Sequence, residues 1–500
     1  MEHTMVEQGL NADGVGVLPP MKLFEDPGLR DDMPPGKPPI AVIGAGFSGT
    51  MAALHLLRRV PADQPVLLCE RAAEFARGVA YATGDNDHLL NVRATNMSAL
   101  ADDPSHFADW LRQCVTPRAG GVHETAAGQF ASRGMYGHYL RGILDSAMRE
   151  TAHRGQLRLL PDDITDVIAR AGGGYDLVCA SGNRLEVAGV VVAVGNLPPE
   201  ENIDPRLCGN PWGDKAWRPL SSDAPVLIIG TGLTMVDLVL SIRRRGFTGQ
   251  VIALSRGGLI PSRHLPAGAW ETPVLTPEEE RSLPKLMRRV RDEVRRAAAE
   301  GVDWRAVVDS LRPITARIWQ RLPVAERRRF LRHARRYWDV ARHRMAPPNA
   351  DMIDAMIADG SLRITAGRIQ DFDTTSPEAV AVTFRHRRTG VPETLRVQRV
   401  IMASGLEQIA RTRDPLMQRL LDRGLLRMDS QGMGLDVTDN LNAISRDGSV
   451  AHHIWALGPI VRGVFWECIA VPDIRVQASQ LAQSVAARLK EEAPRWSFNI

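Results

Sequence analysis

Short apolar runs that end in glycine and pass straight into helical spacing recur along this chain. The first is Ile40-Ala41-Val42-Ile43, followed by Gly44-Ala45-Gly46-Phe47-Ser48-Gly49, after which Met51, Ala52, Leu54, Leu56 and Leu57 recur on one helix face. This pattern predicts strand, tight turn and helix. Residues 65–69 predict a second strand ending at Glu70. Residues 78–98 show no period, and two amphipathic helices are expected beyond them, over 103–114 and 136–154, the first with Asp103 as N-cap and Pro104 at N1. Strand-like runs at 166–170, 175–180 and 184–187 lead to a fully apolar run that ends at Gly195. A connector rich in Pro, Gly and Trp spans 197–219. The opening pattern then returns, as Val226-Leu227-Ile228-Ile229 and Gly230-Thr231-Gly232-Leu233-Thr234, 186 positions after Gly44. Its helix is expected to run to Arg245, and its second strand (250–254) ends in Ser255 and Arg256. Residues 276–345 carry helical spacing throughout. Strands are expected at 361–365, 369–372 and 379–385, then at 397–405 and 454–459, and a helix over 474–491 closes the chain.

The glycines give the repeated pattern a chemical meaning. In G-x-G-x-x-G, Gly44 allows the sharp turn, Gly46 leaves room for a pyrophosphate, and Gly49 lets the helix approach the strand. With Ala45, Phe47 and Ser48 they open a helix whose N-terminal N–H groups favour phosphate. Glu70 lies 21 residues beyond Gly49, where a ribose-binding acid belongs, and Arg71 adjoins it. Gly195, Gly405 and Gly458 end buried strands, where cofactors sit in open α/β sheets. The second turn, Gly230 to Thr234, has Met235 in place of the third glycine, so its helix is expected to stand further from the sheet. Ser255 and Arg256 suit a 2′-phosphate better than a 2′-hydroxyl, which favours NADPH over NADH; the alternative is that Arg256 is a solvated surface charge.

The expected fold is α/β, with two Rossmann-like dinucleotide-binding domains, the second inserted in the first, and an Arg-rich helical insertion. The expected boundaries are a disordered tail at 1–37, an FAD-binding domain over 38–220 and 411–500, an NAD(P)H-binding domain over 221–275 and 346–410, and the helical insertion at 276–345. Composition adds limits. The formal net charge is only +4, yet 276–345 holds 19 basic and ten acidic residues. The arginines alternate with acids and apolar positions, as on solvated helix faces. An anionic substrate or cofactor phosphate is therefore a better expectation than nucleic acid. Five cysteines, none in a C-x-x-C pair, fit a reduced cytoplasmic protein without a disulfide framework or zinc site. No apolar run approaches a membrane span.

Two dinucleotide units point to a flavoprotein, with FAD in the first and NADH or NADPH in the second supplying hydride. Without a cysteine pair, disulfide reduction is an unfavourable reading. Oxygen activation or hydride transfer to a small molecule remains, and oligomeric state is left open. The runs Gly78-Val79-Ala80-Tyr81, His88-Leu89-Leu90-Asn91-Val92, Gly230 to Asp237, Ser255-Arg256 with Pro261 and His264, and GVFWECIAVPDIR from Gly463 resemble a bacterial FAD/NAD(P)-binding family. That family includes a type of FAD-dependent urate hydroxylase and the aspartate N-monooxygenases, and the resemblance covers about residues 38–490. It implies a monooxygenase that passes oxygen from a flavin C4a-hydroperoxide to a nucleophilic atom. The atom is C5 of urate, giving 5-hydroxyisourate, in the preferred reading, or the amine of an amino acid such as aspartate or ornithine in the alternative. A flavin-bound redox sensor without turnover is the reading from another class. Candidate site residues are Asn91 near the flavin ring, His88 as a base or a structural hydrogen-bonder, Arg462 as an anion holder, and Glu467 as a flavin or substrate contact or a helix N-terminal acid. Arg263 and His264 are candidates to meet NAD(P)H or substrate, and Tyr81 is either a site residue or packing.

Overall fold

The computed structural model describes residues 37–115, 120–152, 155–197, 204–403 and 412–492, excepting the side chains of Asp214 and Glu492. The expected tail (but for Lys37), the last two residues of the helix expected over 136–154, part of the connector and Gly405 lie outside the described residues.

Eighteen strands are described: β1 (Ile40–Ile43), β2 (Val66–Cys69), β3 (Val122–Thr125), β4 (Gly128–Ala131), β5 (Leu157–Leu160), β6 (Ile164–Ala169), β7 (Tyr175–Cys179), β8 (Arg184–Val187), β9 (Gly189–Val192), β10 (Leu207–Cys208), β11 (Val226–Ile229), β12 (Val251–Ser255), β13 (Leu362–Asp373), β14 (Val380–His386), β15 (Pro392–Val397), β16 (Arg399–Met402), β17 (Asn442–Ile444) and β18 (Val450–Ala456). They form two main sheets. The first runs β17-β18-β9-β1-β2-β5 and is parallel except for β17. Ile43 is in register with Cys69 and Val192, and Val192 with Ala456, so four strands bring their carboxyl ends to one edge. β1, β2 and β9 are buried at every position, as strands covered on both faces must be. The helix Phe47–Leu57 packs along the helix Val471–Glu492, so segments more than 400 residues apart share one layer.

The second sheet runs β10-β16-β11-β12-β13-β14-β15. It is parallel as far as β13, which outruns β12 and continues as an antiparallel meander with β14 and β15. β10 lies within the stretch read from sequence as a connector; its two residues pair with β16, so the chain joins the second sheet before its glycine turn. Met235, at the third-glycine position, is fully buried in the core of this unit.

Both amphipathic helices start elsewhere than expected, and the closing helix starts at Val471, three residues before its expected start. The first helix is His106–Cys114; Asp103 makes no side-chain cap there, and its carbonyl instead accepts from the Ser98 hydroxyl. The second is Arg133–Thr151, because Ser132 caps it by accepting from the Met135 N–H at 3.2 Å. The Arg-rich segment holds helices Pro277–Arg281, Leu283–Ala299, Trp304–Ser310, Arg312–Arg321, Val324–Arg329 and Arg335–Arg342 around a small core of Leu275, Leu286, Leu311, Ile314, Ile318 and Leu322. A capping box of Thr276 and Glu279 opens it. Much of its charge is neutralised internally: buried Glu280 pairs with Arg317 and Arg321, and buried Glu293 with Arg289 and Arg296.

Candidate functional site

The first glycine turn is built by contact between main chains. Gly44 has φ +96°, and a Cβ there would lie 2.6 Å from the Ala193 carbonyl oxygen. A Cβ on Gly49 would lie 1.7 Å from the Gly44 carbonyl oxygen, so helix and strand touch backbone to backbone. Gly46 meets only the Gly78 Cα, at 3.7 Å. The helix that starts at Phe47 has no side-chain cap and no acid in its first turn, which leaves its positive end open to an anion. Ala45, Phe47 and Ser48 are buried around it. Glu70 accepts from the Ala45 N–H at 2.8 Å through one oxygen and from the Ala72 N–H at 3.2 Å through the other, with lone pairs left for ribose hydroxyls. A Cβ on Gly458 would lie 2.4 Å from the Ser48 hydroxyl, so the segment after β18 closes against the same turn. Gly195, past the end of β9, faces open space. Arg71 is engaged elsewhere: it pairs with Asp414 at 3.0 Å, the residue that caps the helix Pro415–Asp422, and lies 3.6 Å from Asp163.

The residues around this turn fit a bound dinucleotide. Gly78 lies over Gly46, and the Tyr136 ring is 6.3 Å from Phe47 and 4.8 Å from Tyr81. The Tyr136 hydroxyl and the Nε atoms of Arg77 and Arg133 are buried without a hydrogen-bond partner among the described residues. Burial holds the Tyr136 phenol well above its usual range, so the unmet group is a neutral donor.

At the second turn, Gly230 donates to the Leu254 carbonyl at 2.8 Å, and the helix Leu233–Arg244 again starts at an uncapped glycine, Gly232, with no acid in its first turn. No atom comes within 4 Å of where a Gly232 Cβ would stand. Leu233 and Thr234 are half-buried beside it. Thr231 and Ser255 shape the turn itself: the Thr231 hydroxyl reaches Ser255 Oγ at 2.9 Å and the Leu259 carbonyl at 2.5 Å, and Ser255 Oγ accepts from the Gly258 N–H at 3.0 Å. Arg256 is exposed and pairs with no acid among the described residues.

The irregular loop after Glu70 docks onto the second unit. His88 is buried with both ring nitrogens occupied: Nδ1 meets Thr83 Oγ1 at 2.8 Å, and Nε2 meets Ser241 Oγ at 2.6 Å and the Asp237 carbonyl at 3.2 Å. Its ring lies edge-on to Trp212 at 5.4 Å. These contacts span two units and suit the structural hydrogen-bonding role. Asp85 and Asp87 extend the contact through Ser241 and Arg244, and Arg133 pairs with buried Asp237 at 3.1 Å. Sequence reading missed these partners, because the two segments lie some 150 residues apart.

Asn91 follows on the same loop, half-buried. Its carbonyl accepts from His264 Nε2 at 3.0 Å, and its side-chain amide makes no hydrogen bond among the described residues. The backbones at Arg263 and Met345 form a bridge that fixes His264 here. Burial lowers the His264 pKa to about 4, so the ring is neutral and carries its proton on Nε2. Arg263 is tied to Asp351 and Asp354 at 2.6 and 3.0 Å.

The C-terminal loop packs against the helical insertion. Arg462 donates to the Met433 carbonyl at 3.1 Å and is half-buried. Glu467 is buried at φ +70°, an unfavourable backbone for a non-glycine residue; its carboxylate accepts from Trp338 Nε1 at 2.5 Å and from Arg342 at 3.1 Å. It therefore clamps this loop to the insertion and lies at no helix N-terminus. Trp466 stacks on Trp319 at 4.7 Å, and Trp319 Nε1 donates to the Gly463 carbonyl at 2.8 Å. Among the described residues no three His, Cys, Asp or Glu side chains group to hold a metal, and the five cysteines are free.

Residues 41–197 match a family described as FAD-NAD(P)-binding, and no curated protein matches the chain. Solved structures are similar over nearly the whole length. The reduced form of ornithine hydroxylase from Pseudomonas aeruginosa is 14% identical, with a TM-score of 0.60 over 91% of this chain and 100% of that one. L-lysine 6-monooxygenase from Pseudomonas syringae is 16% identical, with a TM-score of 0.58 over 90% and 100%. The ornithine N-hydroxylase of Kutzneria sp. 744, with reduced FAD, NADP+ and L-ornithine, is 13% identical, with a TM-score of 0.57 over 91% and 100%. The fold is thus that of the FAD- and NAD(P)-binding flavoproteins, and the cofactors of the chain are FAD with NADH or NADPH.

Proposed function

We propose that the protein is an FAD-dependent, NAD(P)H-using monooxygenase that N-hydroxylates a small amine, with an amino acid such as aspartate or ornithine as substrate class. The observation that carries this reading is the junction at Asn91. A loop of the first unit is held against the second by His88 and His264, and it presents an amide with no partner among the described residues. The shared fold with ornithine and lysine hydroxylases supports the same direction. FAD, once reduced by the nicotinamide cofactor, supplies the oxygen activation.

The chain's own residues orient and shield. Gly44, Gly46 and Gly49 with the uncapped helix start hold the pyrophosphate, and Glu70 holds the ribose. Asn91 can donate and accept, which suits a reacting oxygen that changes protonation. Neutral His264 fixes the Asn91 main chain without adding charge beside the flavin. Trp466, Trp319 and the Glu467 clamp keep water from the face covered by the helical insertion. The substrate amine must arrive unprotonated to act as a nucleophile.

Urate hydroxylation, the activity preferred from the motif resemblance, is the second reading; it rests on the Gly463 run with Arg462 beside it, and the comparisons lend it no support. One assay separates the readings. FAD-loaded protein is given NADPH or NADH with aspartate, ornithine, lysine, cadaverine or urate, and nicotinamide oxidation is followed with hydroxylamine product or urate loss. An amine that yields hydroxylamine is the expected result. Loss of urate with no hydroxylamine would overturn it, and an absence of turnover with every substrate would favour a sensor.

A further inference from the structure

Three arginines from separate segments converge at the carboxyl end of β12. Arg256 follows the last residue of that strand. Arg387 enters from the hairpin between β14 and β15: its main-chain N–H donates to the Ala366 carbonyl at 2.9 Å, and Ala366 is the register partner of Ser255. Its guanidinium donates to the Arg256 carbonyl at 3.1 Å. Arg336 comes from the helical insertion, on Arg335–Arg342, with its Cδ 3.7 Å from the place of a Cβ on Gly257. Its Nε is buried without a partner among the described residues, and its outer nitrogen donates to the Tyr337 hydroxyl at 2.8 Å. None of the three pairs with an acid among the described residues. Arg289, Arg296, Arg317 and Arg321 of the insertion are matched by buried acids, and Arg336 is not.

Like charges held together without a counter-charge disfavour each other, and guanidinium forks match phosphate oxygens in pairs. The end of the second strand of a dinucleotide unit is where the ribose 2′ position falls. We propose that Arg256, Arg336 and Arg387 form the site of a phosphate monoester, the 2′-phosphate of NADPH, and that the helical insertion takes part in choosing the nicotinamide cofactor through Arg336. This rests on the second glycine turn holding that cofactor.

The test uses FAD-loaded full-length protein and titration calorimetry with 2′,5′-ADP and with 5′-ADP. Wild type is expected to prefer 2′,5′-ADP at least tenfold. Arg336→Gln and Arg387→Gln are each expected to weaken 2′,5′-ADP about tenfold, within the range for hydrogen bonds to charged groups, and to leave 5′-ADP unchanged. Arg→Lys at either position keeps charge without the fork and is expected to retain part of the preference. If both Gln variants keep the wild-type preference, or wild type shows none, the proposal fails while the nucleotide site stands. If wild type binds neither compound, the reading of the second turn fails, and the proposal with it.

Discussion

Replacing Gly49 with Ala sets helix propensity against packing at one position. Ala is favoured over Gly inside a helix by about 1 kcal/mol. Its Cβ, however, would lie 1.7 Å from the Gly44 carbonyl oxygen, where ordinary contact is about 3.5 Å. Relief needs a retreat of roughly 1.8 Å (3.5 − 1.7), and no rotamer supplies it because both partners are main chain. Every residue from Phe47 to Leu56 is buried, so a retreating helix pulls that whole surface away from β1. Overpacking of this kind costs about 3 kcal/mol, which leaves a net destabilisation of about 2 kcal/mol. At about 2–4 °C per kcal/mol for a unit of this size, the melting temperature of the flavin-binding unit is expected to fall by about 4–8 °C. The assay is thermal unfolding of the apo-protein and of the protein at one fixed FAD concentration, since bound FAD adds its own stabilisation. Gly232→Ala is the control: nothing lies within 4 Å of its Cβ position, and a change below about 1 kcal/mol is expected there. An unchanged melting temperature and normal FAD content in Gly49→Ala would refute the backbone contact on which the estimate rests.

Gly46→Val is expected to give folded but colourless protein, because a Cβ there meets only Gly78 and the added methyl groups enter the pyrophosphate path; flavin retained at wild-type stoichiometry would move the cofactor elsewhere. His88→Ala removes the bridge between the loop and the helix Leu233–Arg244 and is expected to cost about 2 kcal/mol and to slow flavin reduction by NADPH in stopped-flow. Loss of an acid limb in the pH–rate profile at unchanged stability would make His88 a base after all. His55 and His264 are both buried with pKa lowered from 6.5 to about 4, so between those values the unfolded chain binds protons that the folded chain does not. Stability therefore falls as pH drops through that window, by up to about 1.4 kcal/mol per unit for each histidine. The double variant His55→Gln, His264→Gln is expected to flatten melting temperature against pH between 7 and 5, and an unaltered slope would count against buried neutral rings.

What could be read from the chain followed the reach of each signal. The two glycine turns are local, and their residues, spacing and strand partners were legible because a turn that admits a pyrophosphate needs small residues in sequence order. Met235 looked like a defect of the second turn, and only its packing shows that it fills the core. The strand at Leu207–Cys208 escaped notice because two residues carry no period. His88 and Glu467 carried two readings each; long-range partners at Ser241, Trp338 and Arg342 favour a structural role, and sequence spacing holds no information about them. The same applies to Arg336 and Arg387, whose meeting with Arg256 depends on how three segments fold.

β9 ends at Val192, but its neighbour β18 begins only at Val450, 258 residues later. During synthesis at roughly 5–20 residues per second, the apolar edge Gly189–Val192 stands unpaired for about 13 to 52 s after leaving the ribosome. The second sheet, all of whose strands precede Ala403, can finish first. An unpaired apolar strand is a template for association between chains. Truncation before Val450 is therefore a solubility problem as much as a loss of activity, and slow translation or low temperature after the Arg-rich segment prolongs the exposure that a holding chaperone would cover.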